Sequence, residues 1–124
     1  GENVRDWLFV DDHINALIKV AREGRIGEKY CIGGNSEKTN LEVVSKICLL
    51  VDKKLKRENK SNTLISFVKD RLGHDKRYAI DSSKIENELN WKKLTDFDCG
   101  LEKTVNWYME NLFWMERIKK TKYF

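Results

Sequence analysis

Apolar residues in this chain recur at two different spacings, and the two alternate along the sequence. "RDWLFV" (5–10) alternates and is rich in aromatics, the pattern of a short strand. Ile14, Leu17, Ile18 and Ala21 then recur at helical spacing until Gly24 stops the run, with Asp11 and Asp12 as candidate N-caps. "GEKYCIGG" (27–34) reads as a strand bounded by glycines. A second helix starts at Asn40, a good capping residue type, and aligns Leu41, Val44, Ile47, Cys48, Val51 and Leu55. "LISFV" (64–68) reads as another strand, and "YAI" (78–80) as a shorter one. A short helix is expected over 82–89, capped by Asp81 or Ser83, with Ile85 and Leu89 on one side. Asn90 follows where a left-handed residue ends a helix. The last helix runs from about Asp98 into the basic tail, with Leu101, Val105, Tyr108 and Leu112 along its stripe. Strands alternating with helices in this way predict an α/β fold.

An α/β chain of 124 residues is one domain in size. Yet it has no G-x-G-x-x-G after a strand, no P-loop and no G-x-S-x-G. A pattern of this class without a phosphate-binding glycine turn points to part of a larger protein. The formal charge is +4, spread along the chain. Its densest basic runs, "KKLKRENK" and "RIKKTKYF", sit at helix ends, where cations complement the helix dipole. No nucleic-acid motif accompanies them, so no nucleic-acid partner is expected. No apolar run approaches a membrane span, and no signal peptide is recognisable. Cys31, Cys48 and Cys99 form neither a disulfide framework nor a zinc motif. These features predict a cytoplasmic protein without a metal site.

The segment "DRLGHDKRY" (70–78) crowds three basic side chains and a histidine around Gly73. Glycine permits a turn that brings Arg71 and His74 to one face. Arginine binds phosphate bidentately and histidine can add a donor. The residues alone fit both a solvated loop and a diphosphate clamp. Arg5 precedes an apolar strand and fits either an ion pair with Asp6 or an anion contact. Asn40 fits a cap, and a helix N-terminus is also an anion site. His13, after two aspartates at a helix start, fits a capping or charge-paired role.

Several stretches together resemble one family. "RDWLFVDDH", "GEKYCIGG", "KTNLEVV", "FVKDRLGHDKRYAIDSSKIENELNW" and "GLEKTVNWYMEN" resemble, in order, the C-terminal portion of the dTDP-glucose 4,6-dehydratases. These belong to the extended short-chain dehydrogenase/reductase family, with a Rossmann-type fold. The resemblance implies that the chain is the substrate-binding part of such a protein, its core cofactor-binding sheet absent. It implies that Arg5 contacts the nucleotide diphosphate and that Asn40 binds the nucleotide. It implies that Asp70, Arg71, Leu72, Gly73 and His74 form a loop around the nucleotide, and that Tyr123 completes the pocket. Leu72 stands where the family has proline, and Cys31, Asn90, Lys93 and Thr121 also depart from its pattern. The family's NAD motif, its Tyr-x-x-x-Lys and its Asp-Glu pair have no counterpart here. The whole protein is therefore expected to bind NAD and a dTDP-sugar and to eliminate water, while this chain binds no NAD and holds no catalytic residue. Related epimerases and dehydratases acting on UDP- or GDP-sugars, or a stand-alone nucleotide-binding module, are the alternatives. The resemblance also implies that residues 1–35 pack on the absent cofactor domain. Alone, the chain is then expected either to self-associate or to rearrange its first 35 residues away from the family arrangement.

Overall fold

The computed structural model describes residues 1–58 and 60–120. Tyr123, expected at the nucleotide pocket, lies outside the described residues. Strand β1 (Val4–Asp6) is followed by helix α1 (Val10–Glu23), strand β2 (Glu37–Thr39) and helix α2 (Asn40–Leu55). A single 3-10 turn (Ser61–Leu64) precedes a long irregular segment. Helices α3 (Ser83–Leu89), α4 (Phe97–Glu110) and α5 (Leu112–Lys120) complete the chain. The result is a mostly helical piece of an α/β fold with one antiparallel pair, β1–β2, in which Val4 opposes Thr39.

The strands are fewer than the apolar pattern predicts, and for a common reason. The expected strand at 5–10 is cut to Val4–Asp6, because the next residues turn inward and α1 begins at Val10. Residues 27–34 and 64–68 form no strand among the described residues. A strand exists only by pairing, and these extended segments have no neighbour to pair with. β2 was not expected, because "EKT" carries no apolar signal. The YAI strand is also absent, though Arg77 beside it makes an isolated parallel bridge to Val4.

Two small cores hold the piece together. Ala16 of α1 packs with Ile85 and Leu89 of α3 and with Trp91, and Leu8, Val20, Tyr30 and Ile32 surround them. Val43 of α2 and Val105 of α4 are the buried residues of the second contact. The inward face of α1 is thus Asp12, Ala16 and Val20, spaced four apart. The expected stripe faces outward instead, with Ile14 46%, Leu17 50% and Ile18 44% exposed. Asp12 is buried because its carboxylate accepts from the amides of Leu94 (3.0 Å) and Thr95 (2.9 Å). A buried carboxylate needs such donors.

Helix ends follow the local chemistry except at α1, which begins at Val10 after Phe9 with no side-chain cap, so that Asp11 and Asp12 lie in its first turn and do not cap it. Thr39, and not Asn40, caps α2: it closes a capping box with Glu42, and Asn40 is the first helical residue. Ser82 precedes α3, and the Asp81 carboxylate accepts from the Ser83 amide at 2.9 Å. Asn90 adopts φ 50°, ψ 37°, as expected of a left-handed terminator. The last helix is broken at Asn111, whose side-chain amide donates to the Trp107 carbonyl at 2.8 Å. Such a local bond competes with helix continuation.

Candidate anion site at the edge of β1

Three pieces of backbone converge on β1. β2 pairs with one edge of it. Along the other edge runs the 76–78 segment: the Val4 amide donates to the Lys76 carbonyl (2.8 Å) and the Tyr78 amide to the Val4 carbonyl (3.0 Å). The start of α2 is tied in by the Asn40 amide donating to Asn3 (3.0 Å) and the Leu41 amide to Gly1 (2.9 Å). The turn before β2 is fixed by the Asp6 carboxylate, which accepts from the amides of Gly34 (2.8 Å) and Ser36 (2.7 Å). Only glycine fits there, since a Cβ on Gly34 would lie 2.2 Å from the Trp7 carbonyl oxygen. Lys93, where the resemblance led to proline, donates to the Ser36 hydroxyl (2.8 Å) and to the Gly34 carbonyl, adding a cross-link to this turn.

This framework brings Arg5 against the 70–78 loop. Arg5 Nη2 lies 2.8 Å from His74 Nε2, and the same nitrogen donates to the Asp75 carbonyl at 3.0 Å. Nη1 donates to the Val4 carbonyl at 2.6 Å, and the guanidinium sits 4.8 Å from the centre of the Tyr78 ring. A guanidinium only donates, so His74 Nε2 accepts. The ring proton is therefore on Nδ1, which lies 2.6 Å from Asp70 Oδ1. Asn3 Nδ2 adds a longer bond to Asp70 Oδ2 at 3.4 Å. The hydrogen bond from His74, with help from Asn3 and the Arg71 amide, holds the Asp70 carboxyl below the usual carboxylate range. The hydrogen bond to Asp75 pushes the Tyr78 phenol up.

Of the residues singled out by sequence, Arg5, Asp70 and His74 are thus in direct contact. Asn40 is one residue from the Thr39–Val4 pair, at the edge of the same cluster. Its backbone amide is already taken, and so are those of Leu41 and Glu42 (the latter by Thr39 Oγ1). The start of α2 therefore offers its side chains more than its amides. Gly73 has φ 71°, the left-handed turn that lets the loop double back. Leu72 is 96% exposed at its tip. Arg71 and Arg77 differ sharply. Arg77 makes a two-pronged ion pair with Glu37 at 2.7 and 2.8 Å. The Arg71 guanidinium makes no hydrogen bond or ion pair among the described residues, and only its backbone bonds within the loop.

Asn3, Asp75 and Tyr78 were not singled out by sequence. Asn3 could have been, because it lies two before Arg5 and so shares its face of the strand. A cleft of about 670 Å³ opens elsewhere, between Trp7–Asp11 and α4, with Phe97, Trp107 and Trp114 among its walls. It shares no residue with the Arg5–His74 cluster. No group of three or more His, Cys, Asp and Glu among the described residues could hold a metal ion. Among the described residues no helix is long and apolar enough to cross a membrane. Among the described residues no strand runs through a glycine-rich turn into a helix.

The family model described as GDP-mannose 4,6 dehydratase matches residues 1–104. A probable dTDP-glucose 4,6-dehydratase of Sinorhizobium fredii is 52% identical over 99% of this chain, which covers 35% of that protein. The crystal structure of the Bacillus anthracis dTDP-glucose 4,6-dehydratase in complex with NAD superposes with a TM-score of 0.80 at 47% identity. That superposition covers 92% of this chain and 34% of the other. The dTDP-glucose 4,6-dehydratase DesIV of Streptomyces venezuelae, solved with NAD, gives 0.78 at 40% identity, covering 92% and 33%. The chain spans about a third of the length of the relatives it matches. The chain belongs to the family described as GDP-mannose 4,6 dehydratase, and it is similar to about one third of the length of the dTDP-glucose 4,6-dehydratases.

Proposed function

We propose that this chain forms the nucleotide-diphosphate side of the substrate site in a dTDP-glucose 4,6-dehydratase. The whole protein would use NAD to eliminate water from dTDP-glucose, giving dTDP-4-keto-6-deoxyglucose. The observation that carries the reading is the joining of Arg5 to His74 and Asp70, with the Arg71 guanidinium beside them in no ion pair among the described residues. An exposed cation free of any ion pair, next to a second, positioned guanidinium, suits a dianionic ligand. Asn40 and Asp70–His74 line the nucleotide. The catalytic groups and the NAD site lie in the portion of the protein outside this chain.

Two results are expected. The chain alone, given dTDP-glucose and NAD, forms no 4-keto-6-deoxy product, and turnover above background would sink this division of labour. Arg71→Ala, in the chain or in a complete enzyme, weakens dTDP binding by about 1.5–3 kcal/mol, the range of a charged hydrogen bond. Equal affinity of the variant and the parent sequence would return the loop to a solvated role. UDP and GDP as competitors in the same titration separate the dTDP reading from a related sugar-nucleotide enzyme.

The reading also accounts for α1. Its outward stripe, with Val10 57% and Leu17 50% exposed, is covered by the cofactor-binding portion in the whole protein. In the isolated chain that surface drives self-association. Sedimentation at roughly 50 μM should show dimers or larger species, and Leu17→Glu should shift them toward monomer. A monomeric parent chain at that concentration would show the stripe to be tolerated in water.

A further inference from the structure

We propose that a nucleotide-sugar diphosphate enters this site together with one proton, taken up by His74 on Nε2. The proposal rests on the nucleotide-binding reading above and adds to it a proton balance. In the free chain, Arg5 Nη2 donates to Nε2 and His74 Nδ1 donates to Asp70. The ring is therefore neutral, with its lone pair aimed at the guanidinium. A diphosphate is an acceptor only, and it competes for those same guanidinium hydrogens. Once the anion takes them, an unprotonated Nε2 would face phosphate oxygen lone pair to lone pair. One proton on Nε2 removes that clash and adds a charged donor. The proton comes from solvent, and the N–H bond formed on Nε2 is the only covalent change.

The surroundings favour this exchange in the complex and oppose it in the free chain. Facing the ring from β1 are the Arg5 cation and the neutral Asn3 amide. From the loop comes the Asp70 carboxylate on Nδ1, while the Asp75 carbonyl accepts from Arg5. The Asp75 carboxylate is engaged by the Tyr78 hydroxyl, and Tyr78 itself stacks on Arg5. Arg71 lies in the same loop, and the start of α2 presents Asn40, which carries no charge. Without a ligand, Arg5 repels an imidazolium and only Asp70 balances it. With the diphosphate bound, two negative charges compensate Arg5 and Asp70 still holds Nδ1. A proton on Nε2 is therefore better accommodated in the complex than in the free chain. Where binding takes up that proton, affinity falls as pH rises. Asp70 acts as a positioning residue, since it fixes which nitrogen is free to receive the proton.

The test is calorimetric titration of the chain with dTDP-glucose near pH 7.5, in two buffers of different ionisation enthalpy. The ligand's diphosphate is a diester and exchanges no proton near neutrality, so any buffer dependence reports on the protein. Close to one proton should be taken up per nucleotide sugar bound. His13→Gln should keep that uptake, and His74→Gln should bind more weakly with none. Nitrogen-15 spectra of the ring provide a second readout, with Nε2 unprotonated in the free chain and protonated in the complex. Asp70→Asn should flatten the pH profile of the dissociation constant. Binding with the same heat in both buffers overturns the proposal and leaves the nucleotide reading standing. Uptake that survives in His74→Gln, or a free ring already protonated on Nε2, also overturns it. Failure of dTDP-glucose to bind at any pH overturns both.

Discussion

Ile85→Ala lowers the stability of the chain by about 2–5 kcal/mol, the range for a buried aliphatic side chain cut back to alanine. α3 spans only Ser83–Leu89, too short a helix to hold itself in water. It persists because Ile85, with no exposure, and Leu89, at 6%, are packed with Ala16 and Trp91. The buried hydrophobic core of the described residues is small, so little else offsets the loss. A domain's whole stability is only about 5–15 kcal/mol, which makes this one substitution a large share of it. Thermal melting should show the midpoint drop by roughly 8–20 °C. Ile26→Ala is the matched control, because Ile26 is fully exposed and its removal should change stability by less than about 0.5 kcal/mol. Equal shifts for the two variants would mean that the α1–α3 contact does not organise the fold.

That contrast between Ile85 and Ile26 also marks how far the sequence could be read. Periodicity located α1, α2 and α3 but ran α4 and α5 together as one helix, because the break at Asn111 is made by a side-chain bond that leaves the apolar pattern unchanged. Asn90 announced the stop of α3 by residue type alone. Periodicity could not tell which face of α1 would be buried. Ile14, Leu17 and Ile18 form the more apolar stripe, but the face that finds a partner in this chain is Asp12, Ala16 and Val20. Asp12 is inward because it serves the amides of Leu94 and Thr95, more than eighty residues along the chain. Strands were the least legible elements, because pairing is set by partners that the local sequence does not contain. Residues 27–34 and 64–68 have strand composition and no partner, whereas Glu37–Thr39 lacks the composition and is paired.

The site was more legible than the sheet. The 70–78 loop stood out by charge and by Gly73, and Arg5 by the resemblance. Their contact was not deducible from spacing, since 69 positions separate Arg5 from His74. It arises because the backbone of 76–78 runs along Val4, which sets the loop beside the next residue of β1. The different fates of Arg71 and Arg77 were equally hidden. Arg77 lies next to Val4 and meets Glu37 on the paired strand, so its charge is already answered.

Arg5→Ala should weaken dTDP binding by about 3–4 kcal/mol, more than the loss of any other single side chain in the site. Arg5 has two roles here, and alanine removes both. One is the charged donor to the diphosphate, with about 1.5–3 kcal/mol for a hydrogen bond of that kind. The other is the brace on the loop: without it, His74 Nε2 loses its donor and the Asp75 carbonyl loses a partner. The loop must then be ordered at the moment of binding, which subtracts from affinity. In dissociation constants the change is roughly 150- to 1,000-fold. Arg5→Lys keeps the charge but not the fork that spans His74, Asp75 and Val4, so it should recover only part of the loss. The β1–β2 ladder is made by backbone and should survive both changes, so the melting midpoint is expected to move by no more than a few degrees, about 1 kcal/mol. The decisive control is Arg77→Ala. It deletes the same charge from within the 70–78 loop, but from a guanidinium already paired with Glu37. Its effect should stay below about 1 kcal/mol, the value of an exposed ion pair. If Arg77→Ala weakened binding as much as Arg5→Ala, bulk positive charge rather than the Arg5–His74 geometry would be holding the nucleotide, and the site would have to be redrawn.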